Sequence, residues 1–245
     1  MKRKCIIYIL TAGCLLAGGC SAKYEAPSPD QNNNYRAEEN IGNAADSGET
    51  YDAVVTVKQT EQGIIYFQVD SAARLYPLNY EESYTGPKRM ACRLTDLGRR
   101  VDGNKDWHLG YVDWFEDLAR GMVGTDFDFY GDITPGHWGF PPDDGIDLLD
   151  DWMTTLEDAF LTIHYSSVWG DGSVAHSLML IKTGDNEFRL LHYLNGDEPL
   201  HRADALVYFD LNYQLPQTEG MDINVKWTNG AGESTSKSFR FRSRP

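Results

Sequence analysis

The sequence lacks a hydrophobic run long enough to cross a bilayer, lacks the short motifs of the common enzyme classes, and is poor in cysteine and in positive charge. A membrane-spanning helix takes about 20 apolar residues, and the apolar stretch at residues 5–17 falls short of that. There is no Gly-x-Ser-x-Gly, His-Glu-x-x-His, phosphate-binding glycine loop or Cys-x-x-Cys pair, so no reaction and no cofactor is called for. Lys and Arg number 22 against 37 Asp and Glu, a net charge of −15. A surface that acidic repels phosphate, which excludes nucleic acid as a partner. It also sits badly against anionic lipid, so a body near a membrane would stand off on a tether.

What is present at the start is a leader. Met1-Lys2-Arg3-Lys4 is basic, the apolar run follows, and Leu15-Leu16-Ala17-Gly18-Gly19-Cys20 leads through small residues into a cysteine. Length and order fit a secretory signal over residues 1–19 with a lipobox, and Cys20 as the lipidated residue. Cys14, after Thr11-Ala12-Gly13, is the rival acceptor. One acyl chain binds membranes reversibly, whereas the two or three chains of a bacterial lipoprotein make a lasting anchor. Ser21 beside the cysteine points to the outer membrane, facing either the periplasm or the outside.

Four cysteines would suggest two disulfides until they are placed. Cys5 and Cys14 leave with the leader and Cys20 is acylated. Cys92 then has no partner, and it reads as a small core residue.

Residues 20–49 are rich in Pro, Asn, Ser, Asp and Glu and read as a disordered tether. From residue 50 the pattern alternates with period two: 54–58, 64–69, 74–78 and 88–97 read as strands, and 111–118 as a strand or a short helix. Pro77 marks 74–78 as an edge. These suit a small barrel over 50–120. Residues 121–150, with their Gly, Pro and Asp, read as an acidic connection. Six further strands at 160–165, 174–182, 187–194, 205–211, 223–227 and 236–242 alternate with Gly-Asp and Asn-Gly turns. They make 151–245 a β-sandwich. The fold class is all-β: a barrel, then a sandwich.

Several segments resemble the NigD-like lipoproteins. In the first half these are Phe67-Gln68-Val69-Asp70, Leu75-Tyr76-Pro77-Leu78-Asn79 and Gly86-Pro87-Lys88-Arg89. In the second they are Phe160-Leu161-Thr162-Ile163, the strand from His176 to Leu180, Leu191-His192-Tyr193 with Asn195-Gly196-Asp197, and Val207-Tyr208-Phe209-Asp210-Leu211. The resemblance spans about residues 50–242 and implies an OB-type barrel followed by a β-sandwich. That family is associated with bacteriocin loci, and the resemblance carries over no biochemical activity. Residues 121–142 make a longer connection than the family pattern.

Three sets of residues could carry function. His164, His176 and His192 fall in strands of one sheet region. If the turn at Gly184-Asp185-Asn186 pairs Leu178 with His192, then His176 and His192 share a face. With Asp197 near, they could ligate a divalent metal, or they could simply fill half-buried positions by hydrogen bonding. Asp126, Asp128, Asp132, Asp143, Asp144, Asp147, Asp150 and Asp151 form a second set, a weak calcium site or a solvated linker, since the spacing lacks an EF-hand's third ligand and its glycine. The third set is the tryptophans: Trp169, with Tyr165 beside it at a hairpin tip, could stack on a sugar or anchor a protein. The reading is therefore a non-enzymatic binding module held to the membrane by its N-terminal lipid, with an envelope protein, a peptide or a glycan as partner. One alternative is self-protection by capture of a basic bacteriocin. The other is a metal-dependent enzyme built on the three histidines.

Overall fold

The structure, a computed structural model, describes residues 48–69, 73–101, 106–125, 143–215 and 220–242. The expectations for the leader, Cys20, the tether up to residue 47, Asp126, Asp128 and Asp132 lie outside the described residues. Every regular element among the described residues is a strand. The chain divides into two compact units, one ending at Asp117 and the other beginning at Leu118.

The first unit is a closed five-stranded barrel of β1 (Glu49–Gln59), β2 (Ile65–Gln68), β3 (Arg74–Pro77), β4 (Lys88–Arg100) and β5 (Trp107–Asp117), ordered β1-β2-β3-β5-β4. Its one parallel pair is β3 with β5, and the whole is the OB-type arrangement. Alternation explains the core. Ala53, Val55 and Val57 of β1 meet Cys92 and Met90 of β4 across an antiparallel register, with Phe67, Leu75, Leu94 and Val112 closing the interior. Cys92 is fully buried, its Sγ 3.7 Å from the Ala53 carbonyl oxygen, and burial pushes the thiol up to about 12. It is a core residue.

Of the two readings open for 111–118, the strand holds: residues 111–117 are part of β5. One detail differs from expectation: β3 lies between β2 and β5, so Pro77 does not mark an edge. The proline is tolerated because the β2 ladder stops at Leu75, while Leu78 N donates to Gly110 O on the other side at 2.9 Å. Its missing N–H thus falls where no partner strand remains.

The second unit is a β-sandwich. One sheet runs β6-β13-β10-β8, with β9 also on β10: β6 (Ala119–Arg120), β8 (Asp147–Leu148), β9 (Thr155–Glu157), β10 (Phe160–Trp169) and β13 (His201–Asp210). The other runs β15-β14-β12-β11-β7: β7 (Met122–Thr125), β11 (Ser177–Lys182), β12 (Glu187–Tyr193), β14 (Asp222–Thr228) and β15 (Ser234–Arg240). Leu161, Ile163 and Tyr165 of β10 and Val207 and Phe209 of β13 face Leu178, Leu180, Phe188, Leu190 and Val225 of the other sheet in one core.

The sandwich starts earlier than residue 151. Residues 121–150 are not all connection, because β7 and β8 lie within them and each extends a sheet. Residues 118–120 likewise belong to the sandwich unit rather than to the barrel. Short β6 and β7 escaped the sequence because two to four residues carry no readable period. The chain passes from one sheet to the other at Gly121. A Cβ there would lie 2.2 Å from Phe209 Cε1, inside the core, so only glycine lets the strap cross so close.

Candidate functional site

The register of the second sheet brings the histidines together. Leu178 pairs with His192, which puts His176, two residues earlier, on the same face. That face looks into the sandwich, as Leu178, Leu180 and Leu190 of the core demonstrate. His192 Nε2 lies 3.1 Å from His176 Nδ1. His176 Nε2 lies 3.0 Å from Asp197 Oδ2, which also accepts from Gly170 N–H at 2.6 Å. At the other end His192 Nδ1 lies 3.2 Å from the Gly145 carbonyl oxygen. The result is an unbroken relay from Gly145 through two imidazoles to Asp197 and Gly170.

A carbonyl and a carboxylate both accept, so each outer nitrogen is placed to donate. Burial and the neighbouring His176 hold His192 down, at about 4, so it is uncharged at neutral pH. The Gly170 N–H and His176 hold the Asp197 carboxyl below its usual range. Trp169 closes the arrangement. Its ring stacks on His176 at 4.0 Å with 4° between the planes, and its Nε1 donates to Ala203 O at 3.0 Å.

His176, His192 and Asp197 are therefore neighbours, but as a hydrogen-bonded chain in which His176 uses both nitrogens. The His176 side chain has no exposed surface. Among the described residues no group of three His, Cys, Asp or Glu is placed to hold a metal. His164 is not part of it. It lies on the outer side of β10, between the inward Ile163 and Tyr165, with its Nδ1 2.7 Å from Asp151 Oδ2.

Tyr165 and Trp169 are not at a rim either. Tyr165 is fully buried and Trp169 is 7 % exposed. The β10–β13 pairing continues through Trp169 with His201, so the tip residue of the sequence reading is the last rung of the core. The described aspartates of the second set are also engaged one by one. Asp143 Oδ1 accepts from His192 N–H at 3.2 Å, Asp144 Oδ2 from Leu194 N–H at 2.7 Å, and Asp147 Oδ1 from Gly230 N–H at 3.0 Å. Asp147 also pairs with Arg202, Asp150 with Lys237, and Asp151 with His164. They fasten loops and converge on no shared point.

Two features escaped the sequence. A cavity of about 320 Å³ lies beside the strap, lined by Arg120, Met122, Ser177, Leu178, Asn195 and Val207 among others. It depends on two short strands that no periodicity announces. The other is on the barrel, where Tyr111 and Trp114 are each 41 % exposed on β5. Period two alone would send Trp114 inward with Val112, and only the register of the ladder shows otherwise.

Residues 141–241 match the NigD-like C-terminal β-sandwich domain. No curated protein sequence matches the chain. Among solved structures, one described as a toxin-related protein of Parabacteroides distasonis is 20% identical, with a TM-score of 0.59 over 80% of this chain and 94% of its own. One described as a lipoprotein of Bacteroides fragilis is 11% identical, with a TM-score of 0.55 over 80% of this chain and 100% of its own. A NigD-like immunity protein of Bacteroides caccae is 15% identical, with a TM-score of 0.52 over 76% of this chain and 91% of its own. At such identities the likeness establishes the shared fold. Residues 141–241 therefore belong to the NigD-like C-terminal β-sandwich domain family, and the chain as a whole shares its fold with these structures.

Proposed function

We propose that this chain is an envelope lipoprotein, anchored at the outer membrane through Cys20, whose role is binding rather than catalysis. The observation that carries the reading is the state of the histidine relay. The side chains best suited to chemistry are buried and bonded to one another, with His176 fully enclosed. A reactive imidazole needs reach to a substrate, and neither ring has it. The lipoprotein description of the Bacteroides fragilis neighbour supports the anchor. Labelling cells with an alkyne fatty acid and fractionating membranes tests it. Wild-type protein takes up label and sediments with the outer membrane, and Cys20→Ala does neither. Label retained by Cys20→Ala refutes the assignment.

A second reading is favoured by the acidic charge of −15 and by the immunity protein among the structural neighbours. On that reading the protein shields its own cell by capturing a basic peptide toxin. Expression in a toxin-sensitive strain should raise the dose needed to kill, and an unchanged dose removes this reading.

A further inference from the structure

The barrel carries a feature that its core does not need. Within β5, Gly110 and Val112 point inward and Tyr111 outward, opposite Thr95 of β4. Trp114 has the same parity as Val112 and would point into the barrel if the ladder were regular. It does not, because the register shifts between Arg93 and Leu94: Leu94 pairs with Val112 and Arg93 with Trp114. Asp113 is the extra residue of this bulge. Bulges re-aim side chains, and this one turns an indole out of the core and onto the face that holds Tyr111. Trp114 is left 41 % exposed.

The charges on that face select the kind of occupant. Arg93, opposite Trp114, is held by Asp52 through two contacts, at 2.8 and 3.0 Å. Asp113 and Glu116, on either side of Trp114, have no ion-pair partner among the described residues. Asp113 Oδ2 accepts the Thr95 hydroxyl, at 3.1 Å, and its charge acts on Arg93. Two exposed rings, with Asp52, Asp113 and Glu116 set against Arg93 on a chain of net charge −15, favour a cation and oppose an anion. The same barrel already holds a guanidinium in this way. On its outer side Arg74 lies 5.0 Å from the Tyr66 ring centre and 5.1 Å from that of Trp107.

We infer that Tyr111, Trp114 and the Asp113 bulge form a docking site for an arginine-bearing peptide segment, its guanidinium stacked on the indole and paired with Asp113 or Glu116. This rests on the reading of the chain as a binding module and names the surface that binds. It places the contact on the barrel.

Full-length protein in a detergent without a sugar headgroup is titrated with octa-arginine, octa-lysine and maltoheptaose, read by tryptophan fluorescence and calorimetry. Octa-arginine should bind more tightly than octa-lysine, because a planar guanidinium stacks where an ammonium does not. Maltoheptaose should not bind. Trp114→Ala leaves the charge unchanged and should weaken octa-arginine by about tenfold, the loss of one aromatic partner. Tyr111→Ala should weaken it less, and Trp152→Ala, which removes the exposed indole at 58 % in the other unit, should change nothing. Binding that is indifferent to both Trp114→Ala and Tyr111→Ala is diffuse attraction to an acidic protein and overturns the proposal. Tighter binding of maltoheptaose overturns it in favour of a glycan. The outcome is separate from the anchor test: a chain that binds octa-arginine but is not acylated loses its anchor and keeps this face.

Discussion

His176 Nδ1 and His192 Nε2 face each other at 3.1 Å inside the sandwich. That contact joins β12 to the chain just before β11 and, through Asp197 and Gly170, to the loop that leaves β10. A buried polar network is stabilising only while each member is satisfied. Here the ends are a backbone carbonyl and a backbone N–H, so the network is closed.

Removing one ring nitrogen pair should show what closure contributes. His192→Phe keeps an aromatic ring in place but leaves the Gly145 carbonyl and His176 Nδ1 without partners. It should lower the stability of the sandwich by about 1–3 kcal/mol, the range for buried groups left unpaired. A urea midpoint unchanged from wild type would show that the relay contributes little.

The same residue sets a pH dependence. An imidazole in an unfolded chain titrates near about 6.5, and burial brings folded His192 to about 4. Between these values the unfolded chain takes up a proton that the folded chain refuses. The stabilisation is therefore complete above about 6.5 and is lost as pH falls toward about 4, by on the order of 3 kcal/mol. Asp197, also held low, loses its contribution at still lower pH and acts in the same direction. Denaturant midpoints measured from neutral to acid should follow this slope, and His192→Phe should flatten it.

Gly121→Ala should destabilise the sandwich by about 1–3 kcal/mol through overpacking. The new Cβ meets Phe209, which is fully buried and has nowhere to turn. Because β6 and β7 pair on either side of this residue, hydrogen exchange should quicken first in those strands. Uniform exchange across both units would count against the strap as a local joint.

Cys92 should resist alkylation while the barrel is folded. Its thiol is buried, and burial raises its pKa to about 12, so almost none is thiolate at neutral pH. Iodoacetamide followed by mass spectrometry should find Cys92 unmodified in native protein and modified after denaturation. Rapid labelling of native protein would place the thiol at the surface.

Period-two alternation determined most of this protein by itself. Residues such as Val55, Met90 and Cys92, or Leu161, Ile163 and Tyr165, can bury themselves only as strands with one face inward. The long strands and their turns were legible for that reason, and so was the division into barrel and sandwich. The shared face of His176 and His192 was legible only as a conditional on the register of their hairpin, which the pairing of Leu178 with His192 supplied.

Tertiary structure alone decided what those residues do. No local rule tells that His176 will use both nitrogens, that the β10 ladder will carry Trp169 into the core, or that Gly121 will pass against Phe209. Each depends on a partner far away in the chain, brought close by sheet pairing. The bulge at Asp113 is the sharpest case. One extra residue in one strand reverses the side on which Trp114 emerges, and an inserted residue leaves no mark on a sequence until its partner strand is known.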